Sequence, residues 1–175
     1  MRDLVNRADA FAAMAHGLMN QRRKYTGRPY VEHPRAVAAL VRTVPHTEKM
    51  LAGALLHDVV EDTPLGLLDI QVEFGVDVAR LVLEVTDQAP RSLPNRAARK
   101  TWEAQRLATV SAPAKTIKLA DVIDNVDSIV EHDPSFARVY LKENEAILCA
   151  LEGGDETLLR RAWIAVENGW RTLCV

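Results

Sequence analysis

Residues 47–64 read TEKMLAGALLHDVVEDTP, and this stretch decides the fold. Thr47 is a residue type that caps a helix by accepting a backbone N–H. Behind it Met50, Leu51, Ala54 and Leu55 recur at helical spacing, which predicts a helix from Glu48 to about Val60 with these residues turned inward. Four ionisable groups then follow: His57, Asp58, Glu61 and Asp62. On a helix His57 and Glu61 lie one turn apart on one face, and so do Asp58 and Asp62. Like charges at that spacing repel by about 0.2–0.5 kcal/mol. Carboxylates near a helix carboxyl end also oppose the macrodipole, by about 0.3–1 kcal/mol each. A divalent cation reverses the sign of these interactions, because it attracts every carboxylate. A hydrated, exposed helix end is the plainer alternative, but Leu55, Leu56, Val59 and Val60 hold the turn against a core. Adjacent His and Asp point about 100° apart on a helix, so other segments must complete any coordination sphere.

Outward from this stretch the chain reads as helices throughout. Residues 7–21 carry Ala8, Phe11, Ala12, Ala15 and Leu18 on one stripe. A basic, turn-rich segment from Arg22 to Pro29 leads to Pro34, which suits the first turn of a second helix running to about Val44. Thr63-Pro64 opens a short helix ending near Gly75, and Val76 to Thr86 follows. Asp87 to Pro94 reads as a loop. Asn95 caps a helix to Val110, and Ser111 and Pro113 lead into a long one through Glu131. Asp133-Pro134 starts another, ending at Gly153-Gly154, and the last runs from Asp155 to about Leu173. The expectation is an all-α, single compact bundle of eight or nine helices spanning residues 1–175, without repeat or linker.

Composition agrees. The chain is 48% hydrophobic and 26% charged, as in a folded globular protein, and only 5% aromatic, so its core should be Ala, Leu and Val. A net charge of −2 gives no electrostatic case for nucleic acid or an anionic membrane. Basic residues cluster at Arg22–Arg28 and again at Arg91–Arg106, which admits a small anionic partner as well as a solvated face. The two cysteines, Cys149 and Cys174, have no framework or metal-type spacing and read as buried, reduced thiols of a cytoplasmic protein. No stretch approaches the roughly 18 apolar residues of a membrane span.

Two further segments offer ligands to the His57-Asp58 pair. His33 in PYVEHP precedes the proline-started helix. Asp121 in TIKLADVIDN brings a carboxylate into a largely apolar helix, where it needs a partner or a metal. Asn125 shares its face one turn on. Two imidazoles and two carboxylates suit Mn, Fe or Zn without choosing among them. His16, His46 and His132 lack paired carboxylates and read as structural.

The ordered set resembles the HD-domain metal-dependent phosphohydrolases, and most of all the hydrolase domain of the RelA/SpoT family and its small stand-alone alarmone hydrolases. The matching pieces are Arg23-Lys24 followed by GRPYVEHP, then ALLHDVVEDT, Phe74-Gly75, the EVTD of residues 84–87, and KLADVIDN, over about residues 7–130. The C-terminal helices of 131–175 then complete the core. His132 to Glu152 and the final helix, with Trp163 and Trp170, read as core packing, with a homo-oligomer surface as the alternative.

The resemblance implies one Mn²⁺ held by His33, His57, Asp58 and Asp121, with Glu61 and Asp62 orienting or activating the attacking water. It implies removal of the 3′-pyrophosphate from guanosine tetra- or pentaphosphate to give GDP or GTP. Arg23 and Lys24 would face the nucleotide, and Asn125 its ribose or base. Two features depart from the family: Val126-Asp127-Ser128 stands where a basic residue is common, and Asp124 adds a carboxylate. They keep open a phosphohydrolase acting on another nucleotide or a phosphate monoester. A non-catalytic, metal-binding nucleotide sensor is the third reading, and the presence of both Glu61 and Asp62 argues against it.

Overall fold

Side-chain caps begin helices where the sequence places them. Thr47 accepts from Met50 N, Asn95 from Ala98 N, Ser111 from Ala114 N, Asp133 from Phe136 N, and Asp155 from Thr157 N and Leu158 N. Each satisfies an amide that the first helical turn leaves without an intrahelical partner. A computed structural model describes residues 4–174. Among them are nine helices of eight residues or more, one single helical turn and no strand. The all-helical expectation is met. Arg22 and Pro29 form an isolated antiparallel bridge.

The chain forms two compact units, one running up to Thr86 and the other starting at Asp87. The first holds α1 (Leu4–Leu18), α2 (Glu32–Val41), α3 (Glu48–Leu56), α4 (Val59–Asp62), α5 (Leu67–Phe74) and α6 (Val76–Val85). Helix α3 is its hub, packing on α1, α2 and α6. Every residue from Met50 to Leu56 is buried, as expected of a helix that is apolar all round. Its N-terminal neighbours supply small faces: Ala8, Ala12 and Ala15 of α1, and Val37, Ala38 and Val41 of α2, are buried.

Three expectations for this unit change. The predicted helix from Glu48 to Val60 ends at Leu56, and the chain turns at His57-Asp58 before the single turn α4. Asp58 is its N-cap residue, with φ −97° and ψ −6°. Glu61 and Asp62 therefore lie in a new first turn rather than at the end of a long helix, so opposition from α3's macrodipole does not apply to them. Thr63-Pro64 does not open the next helix either. It begins at Leu67, where the Asp69 carboxylate accepts from Gly66 N at 2.8 Å. Leu18, expected inside, is 80% exposed, because α1 ends there and the chain turns through Asn20 at φ 47°.

The second unit comprises α7 (Arg96–Leu107), α8 (Ala112–His132), α9 (Pro134–Ala150) and α10 (Glu156–Leu173). The 21-residue α8 packs on α9 and α10, and α7 packs on α9. Ile117, Leu119, Ala120, Val122 and Val126 of α8 are buried. Trp163 and Trp170 are half-buried and, with Cys149, line a groove of about 500 Å³ between α9 and α10 rather than filling the core. Both cysteines are exposed, contrary to expectation. Cys149 follows the buried Leu148 by one residue, about 100° around the helix and away from the core. Among the described residues no helix is long and apolar enough to cross a membrane.

The basic region of residues 91–106 is largely committed within this unit. Arg96 makes a bidentate pair with Glu143 at 2.7 and 2.8 Å, and Lys100 binds Asp87 at 2.9 Å. Arg106 forks onto Glu103, a carboxylate only 2% exposed.

Candidate metal centre

Three sequence-predicted residues converge in the first unit. His33 arrives on the first turn of α2, which starts at Glu32, two residues before the expected Pro34. His57 and Asp58 sit at the break between α3 and α4. One donor atom from each lies within 4.8 Å of the others. The imidazoles are 2% and 1% exposed, while the Asp58 side chain keeps 16% of its surface open. Nε2 of His57 is 3.1 Å from Asp58 Oδ2, and Nε2 of His33 is 3.5 Å from the same oxygen. The two rings stand edge to face, with centroids 5.1 Å apart.

The orientation of the His57 ring follows from its neighbours. Nδ1 lies 2.7 Å from the Ala54 carbonyl oxygen, which can only accept, so Nδ1 carries the N–H. Its Nε2 is then the ring nitrogen that faces Asp58 and His33. A ring nitrogen held by a backbone carbonyl, its partner nitrogen left to ligate, is how proteins orient metal-binding histidines. Two such imidazoles with one carboxylate form a mixed nitrogen–oxygen donor set that a divalent cation fits.

A model of the HD domain matches residues 8–151. The chain belongs to the HD-domain family. Similar proteins include the guanosine-3′,5′-bis(diphosphate) 3′-pyrophosphohydrolase MESH1 of Drosophila melanogaster, 41% identical over 71% of this chain and 69% of that one. A probable guanosine-3′,5′-bis(diphosphate) 3′-pyrophosphohydrolase of Synechocystis is 32% identical over 85% of this chain, which spans only 20% of that protein's length. Among solved structures, a metazoan ortholog of SpoT described as hydrolysing ppGpp superposes with a TM-score of 0.84 at 32% identity, covering 96% of each chain. The resemblance read from the motifs is thus borne out at the level of family. An HD domain implies a divalent metal, and His33, His57 and Asp58 can hold one.

The remaining predicted residues of this HD-domain chain fall in both units. Glu61 and Asp62 are exposed on α4, and Asp62 Oδ2 accepts from Gln21 Nε2 at 2.8 Å. Arg23 and Lys24 lie on the turn between α1 and α2. Arg23 N donates to Arg28 O and its carbonyl accepts from Gly27 N, a tight reversal that uses glycine at φ +68°. Lys24 Nζ sits 4.7 Å from the Tyr25 ring centroid and 3.1 Å from its hydroxyl. In the second unit Asp121 is 6% exposed on α8, where Lys118 binds its Oδ2 at 2.8 Å and Asn125 donates to its Oδ1 at 2.6 Å. A buried carboxylate needs such polar partners.

Sequence reading did not single out the residues that hold these groups. The Tyr30 phenol donates to Asp58 Oδ2 at 2.6 Å. Gln21 holds Asp62, and Lys118 holds Asp121. Tyr30 and Gln21 lie 28 and 41 residues from the carboxylates they bind, so no local periodicity reports them. Lys118 was within reach, standing one helical turn before Asp121.

Proposed function

We propose that this chain is a Mn²⁺-dependent hydrolase that removes the 3′-pyrophosphate from guanosine tetra- or pentaphosphate. The observation that carries the reading is the convergence of His33, His57 and Asp58 in an HD-domain chain similar to proteins named for that reaction. Asp121 is assigned as the fourth ligand, on the family order of its KLADVIDN motif. Mn²⁺ fits a donor set of two imidazoles and two carboxylates. A divalent cation held there supplies Lewis acidity toward a phosphoryl oxygen and the attacking water.

The chain's own residues supply the rest. Tyr30 and the Ala54 carbonyl fix the orientation of Asp58 and His57. Glu61 and Asp62 orient the attacking water and accept its proton. The water oxygen bonds to the phosphorus attached to the ribose 3′ oxygen, that P–O bond breaks, and the 3′ oxygen takes a proton from solvent and leaves as a hydroxyl. Arg23 and Lys24 offset the charge of the polyphosphate, and Asn125 addresses the ribose or base. A net charge of −2 gives no case for a nucleic-acid polymer, and the local pair Arg23-Lys24 suits a small anionic partner in the cytoplasm.

Purified protein with Mn²⁺ should release pyrophosphate from guanosine tetraphosphate. No release from protein carrying one Mn²⁺ per chain would remove the substrate assignment. A second reading, another nucleotide or phosphate monoester, draws on the acidic pair Asp124 and Asp127 of α8. It is distinguished by release of inorganic phosphate across a panel of phosphate esters.

A further inference from the structure

His16 stands in the last turn of α1 and is 1% exposed. Its Nδ1 lies 2.7 Å from Gln21 Oε1, and Gln21 Nε2 donates to Asp62 Oδ2 at 2.8 Å. The direction of this chain is set from its outer end. A carboxylate at Asp62 can only accept, so the Gln21 amide turns its NH₂ outward and its carbonyl toward the histidine. That carbonyl requires an N–H on His16 Nδ1. The other ring nitrogen, Nε2, is buried and makes no hydrogen bond among the described residues. A buried polar atom left unmet costs about 1–3 kcal/mol. Packing alone would favour a hydrocarbon here, so the histidine is accounted for by what its other nitrogen holds.

The backbone also ties His16, Gln21 and Tyr30 together. Gln21 N donates to His16 O at 3.0 Å, and Tyr30 N donates to Gln21 O at 3.1 Å. The rings of His16 and Tyr30 lie 4.8 Å apart. Two arms therefore leave one buried point: through Gln21 to Asp62, and through Tyr30 to Asp58. An exposed aspartate on a single helical turn would otherwise sample several rotamers, and Gln21 restricts it to one.

We infer that His16 and Gln21 are positioning residues that hold the Asp62 carboxylate as an oriented proton acceptor for the hydrolytic step. The inference rests on the role proposed above for Asp62. It is tested on Mn²⁺-loaded protein with guanosine tetraphosphate, measuring kcat, KM, bound Mn²⁺ and Tm. Gln21→Leu and His16→Leu should each lower kcat about 10- to 100-fold, the range seen when an outer partner of a reacting group is lost. KM, metal content and Tm should hold. His16→Asn, whose amide N–H stands where Nδ1 stood, should recover most of kcat. In an Asp62→Ala background, itself lowered about 10²- to 10⁴-fold, Gln21→Leu should add no further loss.

Wild-type kcat in Gln21→Leu overturns the inference, as does an equal loss in the Asp62→Ala background. So does His16→Asn behaving like His16→Leu, or a kcat loss that tracks loss of metal or Tm. Wild-type kcat in Asp62→Ala alone would instead strike the proposed role of Asp62, and the inference would fall with it. Activity absent from the unaltered Mn²⁺ protein would strike the substrate. The test is then repeated on whichever phosphate ester the panel shows to turn over.

Discussion

Tyr30 donates a 2.6 Å hydrogen bond to Asp58 Oδ2, the same carboxylate oxygen that both His33 and His57 approach with Nε2. The phenol leads into α2 and the aspartate follows α3, so this bond ties the turn ahead of one helix to the break after another. It also fixes which way the carboxylate faces before any cation arrives. Tyr30→Phe keeps the ring and removes only the donor. Metal affinity should fall about 10- to 100-fold, as it does when other outer partners of ligands are removed. Titration with Mn²⁺ at constant pH measures it. An unchanged affinity would mean that the ligands are oriented without the phenol.

Chelation gives the second prediction. A cation that binds the folded chain but not the unfolded one stabilises by about 2.7 kcal/mol when present at 100 times its Kd. For a chain of this size that is a rise in Tm of about 5–10 °C. Removing the cation with a chelator should reverse the rise together with the activity. Both imidazoles must offer a lone pair, so the stabilisation should shrink on acidification from about pH 7 to about pH 5. The His57→Ala variant should show neither the rise nor its pH dependence. Thermal unfolding with and without Mn²⁺ at the two pH values decides it.

Arg106 supports a third. Glu103 is 2% exposed, accepts from Arg106 Nε with both oxygens at 3.1 Å, and lies 3.4 Å from Gln88 N. Removing one member of a buried pair leaves a charge without its partner and costs about 3–5 kcal/mol. Arg106→Ala should therefore lower the urea midpoint sharply while leaving Mn²⁺ affinity untouched. Replacing both residues by hydrocarbons, Glu103→Leu with Arg106→Met, should recover most of the loss. A mild effect of Arg106→Ala would show that the pair is solvated in solution.

What the sequence made legible, and what it hid, divides along the range of the interactions. Thr47, Asn95, Ser111, Asp133 and Asp155 each cap the helix they were expected to begin, because a cap bond spans only two or three residues. The turn at His57-Asp58 was missed, since apolar spacing runs through it without interruption and nothing local marks the backbone change at Asp58. The meeting of His33 with His57 and Asp58 was suggested by the family order of motifs, not by spacing. Gln21 and Tyr30 entered only with the fold, because their partners are carboxylates on a distant segment. Leu18 was misplaced because its stripe runs to the end of α1, where the packing stops, and Cys149 because it lies one residue round the helix from the buried Leu148.

The last prediction concerns the acidic face of α8. Asp127 stands three residues after Asp124, and its carboxyl is held above the ordinary aspartate value, first by partial burial and then by the Asp124 charge. A carboxyl that binds its proton more tightly in the folded chain than in the unfolded one subtracts stability as pH rises from the unfolded value of 3.8. Below that value both states are protonated and the penalty vanishes. Asp127 is only partly covered and stays open to solvent, so solvent and salt screen the repulsion. Asp127→Asn should then raise stability near neutral pH by only about 0.2–0.5 kcal/mol, the scale of a like-charged pair on one helix face. The gain should disappear below about pH 3.5. Urea midpoints of the two proteins at pH 7 and at the acid end measure the difference directly. An equal gain at both pH values would trace it to helix propensity or packing rather than to the charge.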